Sequence, residues 1–143
     1  MSAGSKAYAV VRPSLSRAGA EAVLARTLAA AEREEVAVVV WVVDVAGHDL
    51  ALTVMDGSPL LSRQVAADKA WTAIAFGQPT GWWSDLLTDQ PALGALARNN
   101  RLMAVPGGVP LRLDGEVVGG LGVSGGTAEE DARIAAAGAA ALT

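Results

Sequence analysis

The sequence predicts a single α+β domain in which helices cover a five-stranded antiparallel sheet. Three observations lead to this class. Hairpin signals at residues 44–48 and at Asp114-Gly115 require antiparallel neighbours. β-branched and leucine-rich runs flank these turns, and helical patterns of apolar residues lie near both ends and in the middle. The predicted order is helix, two strands, helix, an irregular connection with short helices, three strands and helix.

The sequence pattern in the first part of the domain predicts a helix followed by a hairpin. Ser14 or Ser16 can cap this helix, whose apolar residues recur at steps of three and four until it ends near residues 34–35. Residues 36–43 are apolar and mostly β-branched, which predicts a strand buried on both faces. Residues 48–55 alternate along the returning strand.

A second helix is predicted after the hairpin. Ser58 is suited to its N-cap and Pro59 to its first turn. Phe76 ends the apolar pattern, and Gly77 suits the position just beyond a helix. The helix is apolar nearly all round, so we expect the sheet on one side of it and another subunit on the other.

For the second half of the chain we predict an irregular segment, which forms a lid or wraps around an edge of the domain, and then three strands. Residues 80–98 contain the short helices of this wrap. Residues 101–105, 109–113 and 116–123 predict the strands. Glycines inside the last strand indicate close approach by another backbone or by a ligand, and they are Gly119, Gly120 and Gly122.

Length and composition narrow the class of protein. The 143 residues fit one domain at 14–143 preceded by an arm at 1–13. The chain has no cysteine, which excludes disulfides, thiolate metal sites and a cysteine nucleophile. Its net charge of −4 without a basic cluster predicts no nucleic-acid partner.

The apolar content bears on location and assembly. The longest unbroken apolar run, residues 36–43, is too short to span a bilayer, and the N-terminal residues lack the apolar core of a signal peptide. We therefore expect a cytoplasmic protein with no membrane partner. An apolar fraction of 52% with only 18% charged residues favours a homo-oligomer.

Two long segments resemble a known family. They read VVDVAGHDLALTVMDGSPLLSRQVAADKAWTAIAFGQPT and VPGGVPLRLDGEVVGGLGVSGGTAEED. Over residues 15–142 the chain resembles the GlcG/HbpS family, a heme-degrading domain family related to the C-terminal domain of PduO-type proteins. The resemblance implies a profilin-like fold, oligomers that are commonly hexamers or octamers, and binding of heme or corrinoid-related molecules by some members.

The chain lacks the histidine that the resemblance to heme-binding members of that family implies. The resemblance implies an iron ligand from a histidine of the first helix, but residues 16–35 contain none and His48 is the only histidine. We therefore predict no cofactor, with heme or tetrapyrrole binding as an alternative. The lack of any two-histidine spacing predicts no metal centre.

Four titratable residues are candidates for catalysis. Asp44 and His48 flank one turn, where a carboxylate can tune an imidazole for proton transfer, although both residues can equally serve only the turn. Lys69 lies on the apolar helix and can act as a base of lowered pKa, or form an ion pair across a subunit interface. Asp68 beside it falls within an apolar stripe and needs a partner.

Two further groups are candidates for ligand binding. Gly125, Gly126 and Thr127 precede the last helix and can offer N–H groups to an anion, or simply form a capped turn in which Glu130 completes a capping box. The tryptophans can line an apolar pocket or fill the core and an interface, and they are Trp41, Trp71, Trp82 and Trp83.

Three functions remain open from the sequence. The first is a protein that binds a small organic ligand in a tryptophan-lined pocket near subunit contacts, with or without cofactor-independent proton transfer by His48, Asp44 or Lys69. The second is a heme or tetrapyrrole binder. The third is a non-catalytic oligomeric scaffold.

Overall fold

The computed structural model describes residues 7–143. Its elements in chain order are α1 (Arg17–Arg33), β1 (Val39–Asp44), β2 (Asp49–Val54), α2 (Ser62–Phe76), α3 (Thr80–Asp89), a first 3-10 helix (Pro91–Arg98), β3 (Gly108–Leu113), β4 (Glu116–Ser124), α4 (Ala128–Ala139) and a closing 3-10 turn (Ala140–Leu142). The α+β class is therefore confirmed. No helix within residues 7–143 is long and apolar enough to cross a membrane.

One antiparallel sheet with the order β2-β1-β4-β3 separates two helical layers. Side chains alternate between its faces. On one face Val40, Val42 and Leu121 pack with Val23 of α1 and Ile134 of α4 in the main core. The other face receives α2, which crosses β4, β1 and β3. The run at 36–43 is buried on both faces in its strand portion, as its composition predicts.

The glycines of β4 let α2 approach the sheet at backbone distance. A methyl group built on Gly120 would lie 2.5 Å from the carbonyl oxygen of Ala70, and one built on Gly122 would overlap the carbonyl oxygen of Ala66. The predicted close approach by another backbone is confirmed. This close approach places α2 over the centre of the sheet. The start of the helix lies beside the β2 edge, where the candidate site is found.

The predicted five-stranded sheet is wrong, because residues 101–105 do not form a strand. Side-chain hydroxyls bind the backbone of this segment in place of a neighbouring strand. Thr72 Oγ1 donates to Arg101 O at 2.9 Å and accepts from the Met103 amide at 2.9 Å. Hydroxyl donors also hold the next carbonyls, with Ser84 bonded to Ala104 and Thr80 bonded to Val105.

The same segment also covers part of α2. Its backbone is hydrogen-bonded to Thr72, which is buried. Residues of α2 are therefore buried on several sides, as predicted, within a single chain. The predicted contact of α2 with another subunit stays a prediction.

Several local predictions of helix ends are confirmed, but the predicted start of the second helix at Ser58 and Pro59 is wrong. Ser16 caps α1 by accepting from the Gly19 amide, and Gly77 ends α2 with a left-handed φ of 65°. Ser58 does not cap α2, which begins at Ser62. Its hydroxyl donates instead to the Met55 carbonyl at 2.7 Å, which closes the turn that precedes the helix.

Candidate functional site

An apolar groove lies between the edge strand β2 and the start of α2. Strand pairing joins Trp41 to Leu52 and Val39 to Val54, so that Trp41, Leu52 and Val54 share one face. The groove has a volume of about 780 Å³. Its lining residues are Trp41, Leu52, Val54, Leu60, Leu61, Arg63, Gln64 and Ala67, and we call it the Trp41 groove.

Local structure fixes the shape of the Trp41 groove. The indole Nε1 of Trp41 donates to Asp49 Oδ1 at 2.7 Å, which satisfies the polar atom of the ring and orients its apolar face. The turn after β2 presents Leu60 and Leu61, which are 77% and 73% exposed. Together with the exposed Leu52 and Val54 they form a contiguous apolar patch, which is typical of a surface that binds another molecule.

The polar side of the groove carries one cation. Arg63 is its only charged lining residue. No acidic side chain within residues 7–143 forms an ion pair with Arg63. Gln64 is held by a hydrogen bond of 3.0 Å from its Nε2 to Asp68 Oδ1. The groove therefore offers a guanidinium to an anionic group of a mainly apolar ligand.

Asp44 and His48 lie together at the tip of the β1–β2 hairpin. Asp44 Oδ1 accepts from the amides of Ala46 and His48 at 2.9 Å each, which is a turn-forming arrangement. His48 Nδ1 lies 3.3 Å from Asp44 Oδ2, and the side chain of His48 is 79% exposed. The pair is assembled as predicted, but neither residue lines the Trp41 groove.

Lys69 lies inside the protein. Its side chain is 1% exposed, and Nζ donates to Val123 O at 2.8 Å and to Asp131 Oδ2 at 3.1 Å. Burial lowers the pKa of the Lys69 ammonium, while the Asp131 carboxylate acts in the opposite direction. The predicted ion pair therefore forms within one chain, between α2 and α4, and its burial separates the amine from any ligand in the groove.

Asp68 faces a different cluster on the outer side of α2. It accepts from Gln64, and its Oδ1 lies 4.0 Å from Nε of Arg101, whose guanidinium carbon lies 4.6 Å from the centroid of the Trp71 ring. Burial raises the pKa of the Asp68 carboxyl, while the hydrogen bond from Gln64 and the charge of Arg101 act in the opposite direction. The predicted need for a partner is met by these two side chains.

Replacing Asp68 by asparagine is expected to change how stability depends on pH. A raised folded-state pKa means that the folded protein holds this proton more readily than the unfolded chain does. The contribution of Asp68 to the free energy of unfolding therefore falls as pH rises from the ordinary carboxyl range through the raised pKa. Urea unfolding between about pH 4 and pH 7 measures the effect. As pH rises, the free energy of unfolding of the variant is expected to increase relative to that of the natural chain. Parallel pH profiles for the two proteins would contradict this.

The loop before α4 uses its own carboxylates as partners. The amide of Gly126 donates to Asp131 Oδ1 at 2.9 Å, and that of Thr127 donates to Glu130 Oε1 at 2.8 Å. Thr127 Oγ1 accepts from the Glu130 amide, which completes the predicted capping box. An anion at Gly125, Gly126 and Thr127 would therefore compete with these bonds, and the predicted anion site stays a prediction.

The four tryptophans do not share one pocket. Trp41 lines the groove described above. A second, smaller cavity of about 140 Å³ is lined by Trp71, Ala75, Phe76, Trp83, Leu96, Asn99 and Leu102, and we call it the Trp83 cavity. Trp82 packs edge-on against Trp83, with ring centroids 5.3 Å apart.

Among the residues that line the Trp41 groove, sequence reasoning named only Trp41. Leu60, Leu61 and Arg63 belong to the Trp41 groove, and two leucines directly after a turn could have indicated an exposed apolar site. Asp131 was not recognised as the partner of Lys69, since 62 residues separate them and no local pattern joins them. No group of three or more histidine or acidic residues within 7–143 is placed to hold a metal ion.

The protein is an α+β domain whose antiparallel sheet lies between two helical layers, with an apolar groove at one edge of the sheet. A model of the family described as haem degrading protein HbpS-like matches residues 15–140. The chain belongs to this family, and the resemblance drawn from the sequence is confirmed.

The chain is similar to a named protein and to solved structures. The corrinoid adenosyltransferase PduO of Salmonella typhimurium is 38% identical over 121 residues, which are 81% of this chain and 36% of that protein, so the chain spans about a third of its relative. The crystal structure of Klebsiella pneumoniae protein ORFY is 30% identical with a TM-score of 0.87, covering 94% of each chain. A structure of a PduOC:heme complex is 32% identical with a TM-score of 0.81, covering 91% of this chain and 96% of the other.

Proposed function

We propose that the chain binds a large, flat and mainly apolar small molecule that carries a carboxylate, of the tetrapyrrole class, in the Trp41 groove. The observation that carries the proposal is the groove itself, in which the ring of Trp41, exposed leucines and the Arg63 guanidinium line one volume. A volume of about 780 Å³ lies within the range of small-molecule sites. An aromatic wall suits a flat ring system, and a guanidinium suits a carboxylate.

The relatives support the same class of ligand. One relative of known structure is a PduOC:heme complex, and the family description names haem. At 32% identity over most of both chains, that complex supports a tetrapyrrole as the ligand class.

The residues of the groove do not fit an iron centre. Its lining includes no histidine, methionine, tyrosine or cysteine. Met55, the methionine of the adjacent strand end, accepts the Val38 amide at its sulfur, and His48 is bonded to Asp44 at the hairpin tip. We therefore propose recognition of the macrocycle and its carboxylates, without an iron ligand from the groove.

The geometry favours binding over catalysis. Lys69 is enclosed and paired, and the Asp44–His48 pair holds a turn. Neither set lines the groove. The proposed role is therefore to bind and carry the ligand, and the candidate acid–base residues act in folding.

We also propose that the groove lies beside a contact between copies of the chain. Leu60, Leu61 and Val54 are exposed at its lining, next to the free edge of β2. A second copy placed over this edge would cover apolar surface and enclose more of a flat ligand.

The experiment compares iron-free protoporphyrin IX with hemin. Tryptophan fluorescence quenching is followed in protein whose mass has been measured by light scattering, so that ligand per chain can be counted. Both ligands are expected to bind saturably with Kd values within about threefold of each other, because no iron ligand is used. Trp41→Ala and Arg63→Gln are each expected to weaken both ligands about three- to tenfold.

Two control variants make the result specific. Arg17→Gln makes the same chemical change on α1, away from the groove, and is expected to leave both Kd values unchanged. His48→Ala is expected to have no effect either. Binding of hemin alone, with loss in His48→Ala, would replace the proposal by iron ligation at the hairpin tip. Failure of both ligands to bind would contradict the proposal of tetrapyrrole binding.

A further inference from the structure

The described part of the N-terminal arm, residues 7–13, leaves large apolar side chains uncovered by its own chain. Tyr8, Val10 and Val11 are 93%, 83% and 82% exposed, and these seven residues form no helix or strand. The chain is fixed again from Ser14, whose Oγ accepts from the Val45 amide at 3.2 Å. Three large apolar side chains in one short exposed segment indicate that the segment docks on another surface.

Strand β2 offers an edge at which the backbone groups of alternate residues lack a strand partner. The Met55 amide donates to Val38 O at 3.1 Å, and the register of β1 with β2 continues this pairing to Thr53. In an antiparallel pair, alternate residues bond to the partner strand, so Thr53 and Met55 direct their backbone groups toward β1. The N–H and C=O groups of Leu52 and Val54 therefore point to the outer edge, where the sheet of residues 7–143 ends. Such an edge is a template for another strand.

We propose that the arm of one copy adds to the edge of β2 in a second copy as an antiparallel strand. Tyr8 then lies opposite Val54. The next outward pair joins Val10 to Leu52. This register gives the outward backbone groups of β2 their partners and extends the sheet face of the Trp41 groove by one strand. Pro13, which has no N–H, falls beyond these pairs.

The side chains on the other face of the arm suit the covered face of β2. In the same register Ala9 lies opposite Thr53, which pairs with Val40 of the main core and is half-buried. Val11 lies opposite the small Ala51. The face toward the core thus receives an alanine at its more enclosed position, and the larger side chains of the arm lie over the open groove.

Charge complementarity supports the same pairing. The arm contains two cations, Lys6 and Arg12, and no acidic residue within 1–13. Asp49 and Asp56 flank β2, are exposed, and take part in none of the ion pairs among residues 7–143. In the proposed register Arg12 lies beside Asp49 at one end of β2, and the other cation of the arm comes toward the opposite end. Each end of the added strand then brings a cation to a carboxylate.

A second copy is the partner that the structure favours. Within one chain the arm begins beside the tip of the β1–β2 hairpin, yet it does not pair with the β2 of that chain. The edge of β3 is a poorer acceptor, because Pro110 interrupts its row of N–H groups. Exchange of arms lets each copy give one strand and receive one, which is a low-cost route to a dimer. The inference rests on the contact between copies proposed beside the Trp41 groove, and not on tetrapyrrole binding.

Cysteine cross-linking tests the register directly, because the natural chain has no cysteine. Chains with Ala9→Cys and ¹⁵N-labelled chains with Thr53→Cys are mixed without ligand and treated with oxidised glutathione. Positions 9 and 53 form a pair without mutual backbone bonds, in which opposite side chains lie close enough for a disulfide. Mixed dimers, identified by intact mass, are expected to exceed either self-dimer about tenfold, because docking raises the effective concentration of the two thiols.

Three further variants test the charges and give the background. Arg12→Glu in the Ala9→Cys chain is expected to lower the yield of mixed dimer about three- to tenfold, and Asp49→Arg in the partner chain to restore it. Arg98→Glu makes the same charge change in the 3-10 helix and is expected to leave the yield unchanged. Gly94→Cys, at an exposed position of that helix, replaces Ala9→Cys to measure cross-linking by random collision.

Contrary results would overturn separate parts of the inference. A yield of mixed dimer no higher than that with Gly94→Cys would overturn docking of the arm on β2. A chain with both Ala9→Cys and Thr53→Cys that closes only on itself, while separate chains do not join, would overturn the second copy as partner. Val11→Cys with Ala51→Cys is the next pair of the same kind and serves if Thr53→Cys does not fold. Because no ligand is present, failure here leaves the tetrapyrrole proposal to its own titrations.

Discussion

Replacing Lys69 by methionine is expected to lower the free energy of unfolding by about 3–5 kcal/mol. The change keeps the volume of the side chain but leaves the Asp131 carboxylate buried without its counter-charge. The Val123 carbonyl also loses its donor. Urea unfolding followed by circular dichroism at neutral pH measures the loss.

A second substitution identifies the cause of that loss. Asp131→Asn added to Lys69→Met removes the unpaired charge, and its amide oxygen can still accept the Gly126 amide. The double variant is expected to be more stable than Lys69→Met alone. A double variant no more stable than the single one would mean that the unpaired charge is not the cause. Arg17→Met, at an exposed ion pair with Glu21, is the surface control, with an expected effect below about 1 kcal/mol.

Replacing Gly122 by alanine is expected to destabilise the protein by about 3 kcal/mol or more. The new methyl group would overlap the carbonyl oxygen of Ala66 and lie 2.8 Å from the amide nitrogen of Ala70. Both are backbone atoms of α2, so no side-chain rotation can relieve the contact. The helix must move off the sheet, which also shifts the start of α2 that lines the Trp41 groove. Thermal and urea unfolding measure the change.

Gly94 provides the matched control for this prediction. It lies in the 3-10 helix, and a methyl group there would meet nothing within 4 Å. Gly94→Ala is expected to be neutral or stabilising by about 0.5 kcal/mol, because alanine restricts the unfolded chain. Equal losses in the two variants would show that close packing on α2 is not what Gly122 provides.

Local signals in the sequence were sufficient for much of this fold. The capping box at Thr127, the cap at Ser16 and the left-handed glycine at residue 77 depend on neighbours within a few positions, and all three are present. The β4 glycines indicated a close backbone approach, although not which element would approach. Patterns with a period of two or three to four residues capture such features because their partners are close in sequence.

Contacts between distant residues account for what the sequence did not reveal. Residues 101–105 have the composition of a strand, but hydroxyls from α2 and α3 take the hydrogen bonds that a neighbouring strand would supply. Nothing in the sequence distinguishes Trp41 from Trp83, yet they line separate spaces, one beside the start of α2 and the other beside its end. Only the three-dimensional arrangement assigns each tryptophan to its space.

The position of Lys69 has a consequence for chemical labelling. It is the only lysine within residues 7–143, and its amine is enclosed between α2, β4 and α4. An amine-reactive reagent can modify it only after these elements separate. The rate at which the peptide containing Lys69 gains mass therefore reports opening of the domain from within the natural sequence, without an introduced probe.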